Sequence, residues 1–458
     1  MGLALIAIAW LVTRQIYQKT DTETDTLRRI RERGYLVAAT DRNTLNYFLY
    51  KGVPMGYQLD LLESFADYLG VPLKILACDD VSRADVYLRY HAADLVALNL
   101  PVPASNRDYY RSSDPFGETR LVLVQRRKGA LAGDTASPVQ NLKHFPHDTV
   151  FIRRNPYLAA HYHYFYRKTW RRAILAELPG VSQEELIRRV STGKIRFALC
   201  QENVAMACHR FYRNLDLTVI AFPLFSYGWY TGPRSDSLRT ELNAWLKETR
   251  SSQELKQTYL EYFGNQQVAG YFQSPYFSVT GNKLSPFDGA IRQSSRIIRW
   301  DWRLVASVIY QESNFLPGLT SARNASGLMQ LMPDIASRFG ADSGSSSSRQ
   351  IAAGVRYLKY ISSQLPDSIT HPFERICFTL ASYNVGIGKV MAARDKAGQY
   401  GKDRNRWNGH VDYYLLRRSK KEPVARPDTV DGQPADYRTE GFVDDIITRF
   451  NHYRNLVK

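Results

Sequence analysis

The chain has 458 residues, more than one hydrophobic core usually serves, so two domains or more are expected. Hydrophobic content of 44% with 12% aromatics marks an ordinary globular protein with ample core material. The 61 basic residues outnumber the 44 acidic ones, and the resulting +17 favours polyanionic partners without choosing among nucleic acid, an anionic membrane surface and an acidic cell-wall polymer. Four scattered cysteines, Cys78, Cys200, Cys208 and Cys377, exclude a paired CxxC metal pattern. Cys200 and Cys208 could close a short disulfide loop or stay as buried thiols, and spacing leaves that open.

Met1 to Val12 (MGLALIAIAWLV) is apolar and leads into the polar stretch Thr20 to Thr26. It is shorter than the ~20 residues of a comfortable membrane span, and it lacks a basic n-region. It reads as an export signal or signal anchor, with a buried helix as the alternative. No cysteine follows it to carry a lipid anchor.

From Leu27 the chain alternates helices and strands. Tyr35 to Ala39 reads as a buried strand, Gly56 to Leu69 as an amphipathic helix, and Leu73 to Ala77 and Asp94 to Asn99 as further strands. Strands are expected at Arg120 to Arg126, Asp148 to Ile152, Phe197 to Cys200 and Leu217 to Phe222. Helices are expected at Ala159 to Leu178, Gln183 to Thr192 and Ser237 to Ser251. This order argues for an α/β sheet of largely parallel strands. With RRIRERGYLVAAT, the Gly56 to Gly70 helix and Asn99 to Arg107 ahead of DPFG, residues 27–264 resemble the solute-binding proteins of family 3. The resemblance implies an α/β, two-lobed, periplasmic-binding-protein-like domain whose cleft holds a small peptide or amino acid.

In that family the turn before the arginine carries hydroxyl donors. Here prolines stand at Pro101 and Pro103, and proline has no N–H to substitute. Arg107 could hold a ligand carboxylate or be a structural arginine, and Glu202 is the acid that could meet an ammonium. His161 to Arg172 (HYHYFYRKTWRR) interleaves aromatics with basic residues. A helix with aromatics inward and charges in water explains the same letters, and no nucleic-acid partner is expected.

Residues 1–26 thus form the export segment and linker, 27–264 the binding-protein-like domain, 265–289 a Gly/Pro/Ser/Asn connection, and 290–458 a mainly helical domain. In the last of these, Leu304, Val305, Val308 and Ile309 recur at helical spacing, Asp301 is placed to cap the helix, and Asn314 to Pro317 should end it. Glu312, four residues beyond Val308, falls on the buried stripe near the helix C-terminus. Burial and the negative dipole end both raise a carboxyl pKa, which suits a general acid near neutral pH. A lone Glu near a helix end is more often simply solvated.

Its company decides. Glu312-Ser313, then Gly327-Leu328-Met329-Gln330, then Ala381-Ser382-Tyr383-Asn384-Val385-Gly386 resemble, in order, the motifs of the lytic transglycosylase, goose-lysozyme-like catalytic domain. The resemblance implies a lysozyme-like, mainly α fold, peptidoglycan glycan strands as substrate, no cofactor and no metal. It implies one carboxylate, Glu312, which protonates the β-1,4 oxygen between N-acetylmuramic acid and N-acetylglucosamine. The same group then takes the muramyl C6 hydroxyl proton, so that this oxygen attacks C1 and leaves a 1,6-anhydro end. An intramolecular nucleophile makes an activated water unnecessary. Ser313 is expected in the helix-end network, Ser321 on the muramyl acetamido group, and Met329 and Gln330 along the cleft. Tyr383 is expected near the acid, and Asn384 as a backbone brace. The family's late Tyr-Val pair falls on Phe442-Val443, with Glu440 nearby, so one phenol is lost there.

Two rivals remain on sequence: a lysozyme-like muramidase, which needs a second carboxylate for water, and a non-catalytic cell-wall sensor. Asp334 reads as a helix cap rather than that second acid. The expected location is the periplasm, membrane-associated, on the outer membrane or by an inner-membrane anchor.

Overall fold

The computed structural model describes residues 25–78, 80–102, 110–131, 137–157, 172–250, 253–264, 274–279, 281–342, 344–417 and 438–457. The apolar segment 1–12, Arg107 and the run 161–171 lie outside these residues. Among the described residues no helix is long and apolar enough to cross a membrane. The chain divides into two compact units: one runs to Phe48 and includes Pro54–Thr280, the other comprises Leu49–Val53 and Gly281–Lys458.

The strands of the first part of the chain are β1 (Leu36–Thr40), β2 (Phe48–Tyr50), β3 (Val53–Met55), β4 (Leu73–Ala77), β5 (Leu95–Pro101) and β6 (Arg111–Ser112). They continue as β7 (Gly117–Arg126), β8 (Thr149–Arg153), β9 (Ile174–Leu178), β10 (Phe197–Gln201), β11 (Leu215–Asp216) and β12 (Ile220–Thr231). The helices among them are α1 (Thr26–Arg33), α2 (Tyr57–Leu69), α3 (Ala84–Arg89), α4 (Gln183–Ser191), α5 (Glu202–His209), α6 (Asp236–Arg250) and α7 (Gln253–Tyr259). Helix α2 forms where its periodicity places it. Leu59, Leu62, Phe65 and Ala66 share the buried side, and Gly70 closes the helix in the left-handed region at φ 69°.

The sheet order is β4-β1-β5-β12-β7-β10-β8-β9, with β11 on β7 and β6 on β12. It has two wings. In one, β1 runs parallel to β4 and β5; in the other, β8 runs parallel to β9 and β10. The centre is antiparallel, through β12 on β5 and β7 and β10 on β7, so the sheet is mixed where a largely parallel one was expected. Each wing buries its own cluster: Val96, Leu98, Leu100 and Tyr230 in the first, Leu123, Val150, Ile152 and Phe197 in the second. These are the two lobes.

Three expectations change. The helix read over Ala159 to Leu178 does not extend through its last five residues, which form β9 with all five paired to β8; a short apolar run does not distinguish the two states by period. The strand read at Leu217 to Phe222 is instead the long β12, which passes Pro223 through a register shift between Phe222 and Phe225. A bulge is where a strand tolerates a proline, so Pro223 does not end it. Helix α5 was not foreseen, and it carries Cys208 away from Cys200; both are free, buried thiols.

The second unit is helical: α8 (Asp288–Ile298), α9 (Trp302–Ser313), α10 (Pro333–Arg338), α11 (Ser347–Gln364), α12 (Pro372–Val385), α13 (Ile387–Gln399), α14 (Asp412–Arg417) and α15 (Arg438–Leu456). Helix α9 is its buried centre, with Leu304, Val305, Val308 and Ile309 at 2% exposure or less. Asp301 caps it, accepting from the Arg303 backbone N–H at 3.0 Å while also pairing with the Arg303 guanidinium. Helix α15 lies against it: Arg449 donates to Gln311 at 2.7 Å and sits 4.4 Å from the centre of the Tyr310 ring. Replacing Asp301 by Ala removes the cap, and denaturant unfolding of the second unit should show a loss of about 1 kcal/mol.

Candidate active site

Glu312 occupies the last turn of α9, partly buried. Burial pushes its carboxyl from an ordinary 4.5 up to about 8, and among the described residues no cation or neighbouring carboxylate contributes. The helix C-terminus, with its partial negative charge, works in the same direction. Among the described residues the carboxyl therefore faces no group that would hold it ionised.

The chain leaves α9 through two successive non-glycine residues in the left-handed region, Asn314 at φ 50° and Phe315 at φ 60°. Such residues cost about 1–2 kcal/mol each, and surrounding bonds must hold them. Asn314 N–H donates to Tyr310 O at 2.8 Å, and Leu316 N–H to Ser313 O at 2.8 Å. The following loop exposes Leu316 and Leu319, at 56% and 41%. It returns through bridges of Ser326 with Thr320 and Leu331. This return lays the Gly327–Gln330 turn against the end of α9.

The motif residues meet at that turn. The Ser313 hydroxyl donates to Leu328 O at 2.8 Å, locking the residue beside the acid to the turn. Met329 is buried, and its sulfur lies where a Cβ on Gly354 of α11 would come within 2.2 Å. The Tyr383 hydroxyl, on α12, donates to Met329 O at 2.5 Å. Burial first, and then the charge of Glu312, raise the Tyr383 phenol well above its ordinary value. Tyr383 is thus a neutral donor within electrostatic reach of the acid. Gln330 adopts φ 44° and donates its amide to Leu319 O at 2.9 Å and Gly327 O at 2.8 Å, bracing the turn from within. Ser321 closes the adjoining bend, its backbone N–H donating to Ala325 O at 2.8 Å and its hydroxyl accepting from Ala325 N–H at 3.1 Å. Asn384 is exposed on α12, and Phe442 and Val443 are buried on α15.

Two residues escaped sequence reasoning. Gln350, in the first turn of α11, accepts from Leu328 N–H at 3.2 Å and donates to Ser345 O at 3.0 Å. No motif marks it. Gly354 is an isolated glycine inside a helical pattern, and the structure gives it a packing reason in the Met329 sulfur.

In the first unit, Glu202 begins α5 and is taken by Arg120 of β7, through Nε at 2.8 Å and Nη2 at 2.6 Å. Other groups span the two lobes. Arg153, the last residue of β8, pairs with Asp41, the residue after β1, at 2.6 Å, with side-chain exposures of 13% and 4%. Thr44 donates its N–H and hydroxyl to Glu184 of α4 at 3.2 and 2.9 Å. Burial pushes the Glu184 carboxyl up.

Comparison with known proteins agrees with both halves. The family described as bacterial extracellular solute-binding proteins, family 3, matches residues 36–265, half of the chain. The Transglycosylase SLT domain matches residues 289–406. The chain belongs to the family 3 solute-binding proteins, fused to a transglycosylase SLT domain. Its SLT region contains Glu312, the Gly327–Gln330 turn, Gln350 and Tyr383. The chain is 27% identical over 454 residues to a membrane-bound lytic murein transglycosylase F of Desulfosudis oleivorans, covering 97% of this chain and 94% of the relative. It is 28% identical over 440 residues to one of Pseudomonas fluorescens, covering 92% and 86%. Among solved structures, an amino acid ABC transporter substrate-binding protein from Streptococcus pneumoniae bound to L-arginine is 16% identical, with a TM-score of 0.44 over 52% of this chain and 98% of that one.

The raised pKa of Glu312 carries a stability sign. A carboxyl at about 8 in the folded state against 4.5 unfolded contributes stability that is full below 4.5 and is lost as pH rises through 8. Glu312→Gln, neutral throughout, should therefore melt above the wild type at pH 7–8 and converge with it near pH 4.5, in thermal scans across that range.

Proposed function

We propose that this chain is a peptidoglycan lytic transglycosylase with Glu312 as its single acid/base. The observation that carries the reading is an acid that burial alone keeps protonated near neutral pH, next to a neutral Tyr383 and with no second carboxylate acting on it among the described residues. A hydrolase using two carboxylates would place the second ~5–10 Å from the first, and among the described residues no carboxylate's charge shifts Glu312. Similarity to proteins named lytic murein transglycosylase supports the same choice.

The protonated carboxyl gives its proton to the glycosidic oxygen as the C1–O4 bond breaks, and the positive charge that develops at C1 is faced by the new carboxylate. That carboxylate takes the proton of the muramyl C6 hydroxyl while O6 bonds to C1. The acid is regenerated, and no water enters. Burial serves both halves of the cycle, because a pKa near the working pH lets one group donate and then accept. The exposed Leu316 and Leu319 beside the acid offer apolar surface to a sugar face.

The N-terminal module is the ligand-sensing partner of this site, for a small peptide or amino acid, and supplies an allosteric input to the cleft. The apolar segment 1–12 carries the chain to the periplasm and holds it at a membrane, on the periplasmic face of the outer membrane.

Mass spectrometry of peptidoglycan digested by the wild type should find 1,6-anhydromuramyl ends, and Glu312→Gln should yield none. Because the acid must be protonated, wild-type turnover should fall as pH rises through about 8. Reducing ends in place of anhydro ends would make the protein a muramidase.

A further inference from the structure

We propose that Gln350 is a positioning residue for the Glu312 reaction, holding the Gly327–Gln330 turn against the end of α9. Its carboxamide links two backbones, accepting from Leu328 N–H at 3.2 Å and donating to Ser345 O at 3.0 Å. The turn it holds is the one that receives Ser313 at Leu328 O and Tyr383 at Met329 O. Both donors flank the acid, so the carboxamide fixes the two carbonyls that in turn fix them. The fit is close: Gly327 stands at φ 76°, and a Cβ there would lie 2.4 Å from Gln350 Oε1. Only glycine lets the amide come so near.

The role rests on the transglycosylase reading, and the test separates the two. With a soluble muramyl-glucosaminyl oligomer, Gln350→Leu should lower kcat about tenfold or more with KM little changed, since a small misplacement of an acid falls on the chemical step. The pH at which kcat declines should also move down, as a loosened turn admits water to Glu312. Gln350→Glu, which keeps the acceptor for Leu328 N–H but loses the donor to Ser345 O, should recover only part of kcat. A lower Tm with unchanged kcat and pH profile per folded enzyme would overturn the role. Hydrogen exchange at the Leu328 amide gives a readout that needs no activity: it should accelerate in Gln350→Leu, and an unchanged rate also overturns the proposal. A wild type inactive on glycan with accelerated exchange in the variant would sink the enzymatic reading alone.

A separate observation concerns the first unit. In the sheet order, β1 and β8 are five strands apart. In a flat sheet that is ~24 Å, yet Asp41 and Arg153 at their ends meet at 2.6 Å. The two lobes therefore fold face to face, and the chain's own side chains span the cleft. Tyr157, four residues after Arg153, adds a third span. Its hydroxyl accepts from Asp85 N–H at 3.0 Å, and its ring packs edge-on against Tyr110 and Tyr230 of the opposite lobe's core. The geometry points to a module whose two lobes Arg153 and Tyr157 latch together across the cleft.

Spin labels at the exposed Tyr90 and Lys194, one on each lobe of the full chain, measure this directly. Ligand-free wild type should give one short distance, Arg153→Ala a longer or broader one, and the charge exchange Asp41→Arg with Arg153→Asp the short one again. A broad distribution in the ligand-free wild type, or no change in Arg153→Ala, would overturn the latch.

Discussion

The second unit depends on partly burying a carboxylic acid without giving it a counter-ion among the described residues. Glu312 lies in the last turn of a helix whose Leu304, Val305, Val308 and Ile309 are core, and nothing among the described residues offsets the hydration its carboxyl loses. An unpaired buried carboxylate is too costly to persist, so the proton stays. Every neighbouring feature is consistent with preserving that condition. Tyr383 spends its hydroxyl on a carbonyl and not on the acid, Ser313 does likewise, and the strained exit at Asn314 and Phe315 turns the chain sharply so that the Gly327–Gln330 turn can cover the helix end.

That arrangement links stability to chemistry. The turn carries three residues or glycines at positive φ in its neighbourhood, Asn324, Gly327 and Gln330, and it is held by side chains from three helices: Ser313 of α9, Gln350 of α11 and Tyr383 of α12. A loop this short has little structure of its own to keep it in place. Its precision comes from the helices, which is why residues far apart in sequence act on one acid. The first unit uses charge differently. Asp41 and Arg153 neutralise each other across the lobes, and Arg120 neutralises Glu202.

Much of this was legible beforehand. The helix and its cap followed from the spacing of Leu304, Val305, Val308 and Ile309, because a 3.6-residue period and a cap are local properties; Glu312 as the acid came from the motifs around it. The three motifs around the acid were legible through resemblance. What stayed hidden is non-local. Gln350 carries no motif, and only the packing of α11 on the turn gives it meaning. Arg153 and Asp41 carry no motif either, and only the meeting of their strand ends pairs them. The strand expected to end at Phe222 continues past Pro223 because a register shift lies there, and such shifts come from pairing across strands. The five residues Ile174 to Leu178 are too short for period to separate helix from strand.

The most direct test of the account is the titration of Glu312 itself, by isotope-edited infrared or carbon NMR on the carboxyl of the full chain, with Glu312→Gln to assign the signal. A midpoint near 8 is expected, the value that burial without a counter-ion imposes. A midpoint near the ordinary 4.5 would mean that the carboxyl is solvated or paired, and the single-acid account of this site would fail.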